Sequence, residues 1–192
     1  MKKRTAVIGA LVALLPMGQT LVMGTGASLT SAVVLLSVPE RARAESEEFY
    51  FKRAYKKAEE GDHYGAISDY SKAIKINPRN SKSYYNRGIS KGKSGDNYGA
   101  ISDYNKAIEI NPRYAKAYYN RGNAKNNLKD YLGAITDYNM AIEIYPRYSY
   151  AYNNRGVAKY LSGDFQGACS DARKGKLLGY SKASKALDLL CQ

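Results

Sequence analysis

A repeat of 34 residues is the feature that most constrains the fold of this chain. The segment 81–114 recurs as 115–148, with the motifs YYNRG, GAI(S/T)DY and PRY at the same positions. Residues 47–80 end in GAISDYSKAIKINPRN, and residues 149–180 carry YNNRG and GDFQGACSD in the same register. Self-similarity at this period is typical of helical solenoids, in which stacked repeats share one continuous core.

Each repeat is expected to form two antiparallel helices. Apolar residues recur at helical spacing in the second half of segment 81–114, so one stripe of this half is expected to be buried. A Gly-Asp pair breaks the chain before this half, and an Asn-Pro pair breaks it afterwards. The turn aspartates are expected to cap the second helices. They are Asp62, Asp96, Asp130 and Asp164.

These positions resemble the tetratricopeptide repeat (TPR) family. The family has an aromatic residue at position 4, a small residue at 8, Ala at 20, an aromatic at 24, Ala at 27 and Pro at 32. The matching residues are Tyr50, Tyr84, Tyr118 and Tyr152; Ala54, Gly88, Gly122 and Gly156; Ala66, Ala100, Ala134 and Ala168; Tyr70, Tyr104 and Tyr138; Ala73, Ala107 and Ala141; and Pro78, Pro112 and Pro146.

The resemblance covers about residues 47–180 and implies an all-α fold. It implies a right-handed TPR solenoid of four helix-turn-helix repeats, at 47–80, 81–114, 115–148 and 149–180, plus a C-terminal capping helix at 181–192. The repeat subtype is similar to those of bacterial, cyanobacterial-type exported TPR proteins, some of which assist photosystem assembly.

The first 44 residues have the form of an export signal or a membrane anchor. Three positive charges at positions 2–4 precede an uncharged stretch, residues 5–39. Ala42-Arg43-Ala44 has the small-x-small form of a signal-peptidase site, so we expect cleavage after Ala44. Residues 45–192 would then form an exported TPR domain in the periplasm or another extracytoplasmic space. The alternative is a retained membrane anchor through residues 5–38.

The formal net charge of the chain is +13. Residues 45–192 keep 25 basic and 16 acidic side chains, so this part has a formal charge of +9. A solvated, soluble surface explains this charge most simply, and attraction to an acidic partner or anionic lipid is the sharper alternative. The sequence has no zinc-ligand spacing and no RNA-binding signature, and its tyrosines follow packing positions. It therefore argues against nucleic acid as a partner.

One Arg on each first helix accompanies one Asp on the second helix. The pairs are Arg53 with Asp69, Arg87 with Asp103, Arg121 with Asp137, and Arg155 with Asp171. A Lys lies four residues after each Arg, on the same helix face, so the Asp is placed to bridge both cations. We interpret the pairs as a structural ion-pair ladder, with a ligand-binding site as the alternative.

The family resemblance also implies a concave groove lined by positions 2, 5, 6 and 9 of the first helices. These residues are Lys82, Tyr85, Asn86 and Ile89; Lys116, Tyr119, Asn120 and Asn123; and Tyr150, Asn153, Asn154 and Val157. The recurring asparagine at position 6 both donates and accepts hydrogen bonds, so a stack of them can hold an extended peptide backbone, as the asparagine ladders of some TPR proteins do. The alternative is that Asn-Arg-Gly is only the helix consensus of this subtype.

A clamp for the terminal carboxylates of cytosolic chaperones is not expected. Two of the five family positions match that specialisation. The residues at the five positions are Phe51, Tyr55, Asn86, Lys116 and Asn120.

The two cysteines are expected to form a disulfide if the chain is exported. A turn near Gly179-Tyr180 would place Cys169 and Cys191 opposite each other on adjacent helices. The alternative is one buried thiol and one thiol at a frayed C-terminus.

We expect neither an enzyme nor a cofactor or metal site. His63 is the only histidine, no nucleophile or second ligand accompanies it, and the glycines lie at turns and packing positions. Two functions remain. The first is an adaptor that binds an extended protein segment in its groove, in envelope or membrane-complex assembly. The second is a scaffold held at a membrane or polyanion by its basic surface and a retained N-terminal helix.

Overall fold

The computed structural model describes residues 46–180 and Cys191. Within this part of the chain all regular structure is helical. Eight helices follow one another: α1 (Glu47–Glu59), α2 (His63–Ile76), α3 (Ser81–Lys93), α4 (Asn97–Ile110), α5 (Ala115–Asn127), α6 (Tyr131–Ile144), α7 (Ser149–Leu161) and α8 (Phe165–Leu177). The export signal or membrane anchor predicted at 1–44 and the capping helix predicted at 181–192 lie outside the described residues, apart from Cys191.

The described helices pack as antiparallel pairs that stack in chain order. Helix α1 packs on α2, α3 on α4, α5 on α6 and α7 on α8, and the second helix of each pair also packs on the first helix of the next. This arrangement confirms the all-α solenoid expected from the repeat. None of the described helices is long and apolar enough to cross a membrane.

The turn inside each repeat combines a cap with a left-handed residue. The carboxylates of Asp62, Asp96, Asp130 and Asp164 accept hydrogen bonds from the backbone N–H three residues later, which confirms the predicted caps. The preceding residue has a positive φ. It is glycine in three repeats, but Lys129 occupies this position in the third repeat with φ 63°. A side chain at positive φ is strained, so this turn is the least favourable of the four.

Small residues let the paired helices approach closely. The alanines at positions 20 and 27 are fully buried, as Ala100 and Ala107 show in the second repeat. Between them Tyr104 lies with its ring against Gly88, where an added Cβ would lie 2.7 Å from the ring carbon Cε1. Glycine is therefore required at position 88 by the neighbouring ring rather than by its own backbone conformation.

Candidate functional site

The first helices of repeats two to four, α3, α5 and α7, carry the twelve residues predicted to line the groove, and nine of these are predicted to bind a peptide. We call this set the first-helix surface: Lys82, Tyr85, Asn86, Lys116, Tyr119, Asn120, Asn123, Tyr150 and Asn154. Lys82, Lys116 and Tyr150 are exposed, and the other six side chains are half-buried. The expected lining by Asn153 is wrong, because this side chain is 6% exposed and donates to Asn154.

Asparagine–tyrosine hydrogen bonds join successive repeats on this surface. Asn120 Nδ2 donates to Tyr85 Oη at 2.9 Å, and Asn154 Nδ2 donates to Tyr119 Oη at 3.0 Å. Asn86 instead donates to the backbone oxygen of Lys82, within its own helix. The reason is that the preceding repeat has Phe51 where the second and third repeats have tyrosine, and phenylalanine has no hydroxyl.

Asn123 is the centre of this polar network. Its Oδ1 accepts from Tyr138 Oη and from Asn154 Nδ2, both at 2.8 Å. The asparagines at position 6 are therefore partly engaged with the protein itself, and not all of their hydrogen-bonding groups face an open groove.

Two adjoining clefts open beside this network. One of about 360 Å³ lies between α3 and α5, and one of about 210 Å³ lies between α5 and α7. Asparagines line both: Asn97, Asn120, Asn123 and Asn127 the larger, and Asn123, Asn126, Asn127 and Asn154 the smaller. The buried Oδ1 of Asn126 has no hydrogen-bond partner among the described residues.

Three of the cleft asparagines, at 97, 126 and 127, were missed by reasoning from the sequence. They lie outside the groove positions of the family, although the run Lys125-Asn126-Asn127 was a visible signal. The smaller cleft is lined by four asparagines and Val157, so it suits a partner that presents hydrogen-bond donors and acceptors together.

Two tyrosines of the first-helix surface pair with the tyrosine that precedes the next first helix. The ring centroids of Tyr85 and Tyr114 are 4.7 Å apart, and those of Tyr119 and Tyr148 are 4.9 Å apart. Burial raises the pKa of Tyr85 to about 12 and raises the pKa of the other three hydroxyls, so all four are protonated at neutral pH. Tyr114 and Tyr148 were also missed, because they lie at position 34, where the first repeat has Asn80.

The predicted Arg–Asp partners lie together in all four repeats. In the third repeat, Arg121 forms two hydrogen bonds with Asp137, at 2.9 and 2.5 Å, and Lys125 lies 2.9 Å from the same carboxylate. The same contacts join Arg53 and Lys57 to Asp69, Arg87 and Lys91 to Asp103, and Arg155 and Lys159 to Asp171. Each Asp is buried, so the carboxylates are held inside the repeat.

Three of these arginines also reach the preceding repeat. Arg121 Nη1 donates to Asn105 Oδ1 at 2.7 Å, and Arg155 makes the same contact with Asn139 at 2.6 Å. Arg87 donates to the hydroxyl of Ser71. In the first repeat, the Arg53 guanidinium is the main cause that lowers the pKa of Asp69 to about 2, against the opposing effect of burial. These contacts support a structural role for the ladder.

The remaining predicted residues lie away from the first-helix surface of repeats two to four. Cys169 and Cys191 are joined by a disulfide with a Cα–Cα distance of 5.3 Å, and Arg173 donates to the backbone oxygen of Cys191. His63 begins α2, where it is half-buried and its Nδ1 has no hydrogen-bond partner among the described residues. Phe51 packs its ring on Tyr70 in the core of the first repeat.

Comparison with known proteins finds the same repeat and the same fold. Models described as TPR repeat match residues 54–95 and 92–129, and a model described as Tetratricopeptide repeat matches residues 115–148. No curated protein gives a significant match to the chain.

Solved structures of several TPR proteins superpose on the chain. A crystal structure of MamA protein is 25% identical with a TM-score of 0.68, covering 74% of this chain and 78% of that one. The first TPR of Spaghetti (RPAP3) bound to HSP90 peptide SRMEEVD is 26% identical with a TM-score of 0.59, covering 61% and 93%. The Arabidopsis OM64 TPR domain is 25% identical with a TM-score of 0.59, covering 62% and 98%. The chain therefore carries tetratricopeptide repeats, stacked as a TPR solenoid.

Proposed function

We propose that this protein is a non-catalytic adaptor that binds an extended protein segment along the first-helix surface. Tetratricopeptide repeats act as protein–protein interaction scaffolds, and the solenoid offers its partner one surface of stacked first helices. The observation that carries the proposal is the network of Asn120, Asn123 and Asn154 beside two asparagine-lined clefts.

An extended backbone fits the chemistry of these clefts. Each residue of such a segment presents one N–H donor and one C=O acceptor, whatever its side chain. The asparagines that line the clefts offer amide oxygens as acceptors and amide N–H groups as donors, and the hydroxyls of Tyr85 and Tyr119 can donate as well. The RPAP3 repeat, which shares the fold, is bound to a peptide in its solved structure.

The site of action in this proposal is outside the cytoplasm. Residues 1–44 have the charge and hydropathy pattern of an export segment, so the adaptor would act in assembly of the cell envelope or of a membrane complex, as a member of a bacterial exported subfamily. The charge of +9 on residues 45–192 favours a second candidate, a scaffold held at a membrane or polyanion by its basic surface and a retained N-terminal segment.

Binding to an array of 12-residue peptides of varied composition tests the adaptor proposal. We expect a subset of peptides to bind at about 0.5 M salt, where long-range charge attraction is screened. Replacing Asn126→Ala/Asn127→Ala should abolish that binding. Replacing the exposed pair Ser102→Ala/Thr136→Ala on the second helices should leave it unchanged.

Two results would favour the second candidate instead. One is peptide binding that disappears at high salt with no effect of the cleft variant. The other is retention of the full-length protein on anionic lipid vesicles by both variants alike.

A further inference from the structure

We propose that the segment bound by the first-helix surface is acidic, with carboxylates three residues apart that meet Lys82 with Tyr85 and Lys116 with Tyr119. This inference rests on the proposed function and specifies the partner of that same surface. It is carried by the charge of the first helices, by the hydroxyls of the two tyrosines and by the spacing of the repeats.

The helices α3, α5 and α7 contain no Asp or Glu at all. In each repeat the ion-pair ladder has two cations on the first helix and one carboxylate on the second helix. The ladder therefore contributes a net positive charge to each repeat. Lys82 and Lys116 are exposed and have no carboxylate partner among the described residues. A surface of one sign attracts a partner of the other sign.

The carboxylates are not spread evenly over the solenoid. Helix α6 contains Asp137 and Glu143 but no Lys or Arg, and the turn aspartates that cap the second helices are exposed. Helix α1, the first helix of the first repeat, contains Glu47, Glu48 and Glu59. Charge that served only solubility would not avoid carboxylates on three consecutive first helices while placing them elsewhere.

Each tyrosine hydroxyl is prepared to donate. Tyr85 Oη accepts from Asn120, and Tyr119 Oη accepts from Asn154, so each hydroxyl can also donate its own hydrogen to an acceptor. Accepting one hydrogen bond polarises a hydroxyl and strengthens the bond that it donates. Lys82 precedes Tyr85 by three residues, as Lys116 precedes Tyr119, so both members of each pair lie on one helix face. A carboxylate is the acceptor that suits an ammonium and a hydroxyl together.

The spacing of the two Lys–Tyr pairs sets the spacing of the acids. Adjacent first helices are joined by the Tyr85–Asn120 bond and lie about one helix diameter apart, ~10 Å. An extended chain advances about 3.3 Å per residue, so carboxylates at i and i+3 match the two pairs. The fourth repeat has Tyr150 and the buried Asn153 at these positions, so the acidic site ends with the third repeat. Side-chain carboxylates suffice, and no chain terminus is required.

Fluorescence anisotropy with the purified full-length protein tests this inference. The probes are 12-residue peptides of equal composition, acetylated and amidated at their ends, with two Glu at i and i+3 or at i and i+5, and a version with both Glu replaced by Gln. We expect the i, i+3 peptide to bind at least about fivefold more tightly than either of the others.

Variants then locate the contact. We expect both Lys82→Ala/Lys116→Ala and Tyr85→Phe/Tyr119→Phe to weaken binding of the i, i+3 peptide by about fivefold. The control Lys75→Ala/Lys174→Ala removes the same charge from exposed positions on second helices and should not change the affinity. Thermal unfolding shows whether each variant is folded. If the tyrosine variant is unstable, the affinity of Lys82→Ala/Lys116→Ala alone tests the contact, because these two lysines are exposed.

Several outcomes would overturn the inference. Equal binding of the Glu and Gln peptides, with loss in the Asn126→Ala/Asn127→Ala variant, would leave the adaptor function standing and remove the acidic preference. Equal weakening by the control lysine pair, or displacement by a single-stranded oligonucleotide of equal charge, would show non-specific attraction of polyanions. Failure of every peptide to bind, in this assay and on the array, would remove the adaptor function as well.

Discussion

The side-chain amide of Asn120 donates a 2.9 Å hydrogen bond to the hydroxyl of Tyr85, and this bond joins the third repeat to the second. Asn154 and Tyr119 repeat it between the fourth and third repeats. A bond of this kind contributes about 1 kcal/mol to stability. The same residues therefore stabilise the stack and shape its proposed binding surface, and a loss of binding in an Asn120 variant is informative only beside its unfolding temperature.

Replacing Asp103→Asn should lower the free energy of unfolding by about 3 kcal/mol. The change leaves Arg87 and Lys91, both mostly buried, without their shared carboxylate. Urea unfolding measures the effect. Asp96→Asn is the control, because asparagine caps a helix about as well as aspartate and Asp96 is exposed. Equal stability of the two variants would contradict a structural ladder.

Two glycines on α3 should respond to alanine in opposite directions. Gly88→Ala should destabilise the protein by about 1–3 kcal/mol, because the new Cβ would lie 2.7 Å from the buried ring of Tyr104. Gly92→Ala should stabilise it by up to about 1 kcal/mol, because its Cβ would be 3.8 Å from Ala100 and alanine is the better helix former. Thermal unfolding compares them, and a stabilising Gly88→Ala would refute the packing role of this glycine.

Replacing Lys129→Gly should stabilise the protein by about 1 kcal/mol. Lys129 has φ 63°, whereas the corresponding residues of the other three repeats are glycines with φ between 85° and 93°. Lys129→Ala removes the same side chain but keeps the Cβ, so it should bring no such gain. If both variants gained equally in urea unfolding, the charge of Lys129 and not its backbone would be the cause.

Stability should fall steeply from about pH 10 to about pH 12. Burial raises the pKa of Tyr85 from 10.0 to about 12 and also raises the pKa of Tyr104 and Tyr138. In this window the unfolded chain has lost protons that the folded chain retains, so unfolding is favoured as pH rises. Urea unfolding across the window measures the fall, and phenolate absorbance should appear together with unfolding. Phenolate formation by all tyrosines at pH 10 in a folded protein would contradict it.

The intact mass of the protein from cells, with and without reductant, tests export and the disulfide together. We expect a chain that begins at Glu45 and gains about 2 Da on reduction of the Cys169–Cys191 bond. The Cys169→Ser/Cys191→Ser variant is the control and should gain nothing. A chain that still begins at Met1 with free thiols would contradict both expectations and favour the membrane-anchored scaffold.

The 34-residue period was enough to predict the helix pairs and the partners within each repeat. Arg121 and Asp137 lie 16 residues apart on adjoining helices, so helical geometry alone brings them together. Contacts between repeats depend on the angle and offset of the stack, which no local pattern encodes. The Arg121–Asn105 and Asn120–Tyr85 bonds were therefore not predicted.

In the candidate site too, the sequence predicted positions within each repeat but not the contacts between repeats. Resemblance placed Asn120 and Asn154 on one surface, but their bonds to tyrosine hydroxyls became visible only in three dimensions. The cleft residues Asn126 and Asn127 lie one helical turn beyond the positions used by the family. Their importance comes from a neighbouring repeat that forms the other wall of the cleft.

Three of the four ladder arginines lie midway in sequence between two partners. Arg121 binds Asn105, 16 residues before it, and Asp137, 16 residues after it. A junction made by adding or deleting one unit of 34 residues would recreate both contacts, since the next unit supplies the same side chains at the same offsets. The array can thus be lengthened or shortened by whole units without designing a new interface. The length of partner segment that it can contact would then depend on the number of repeats.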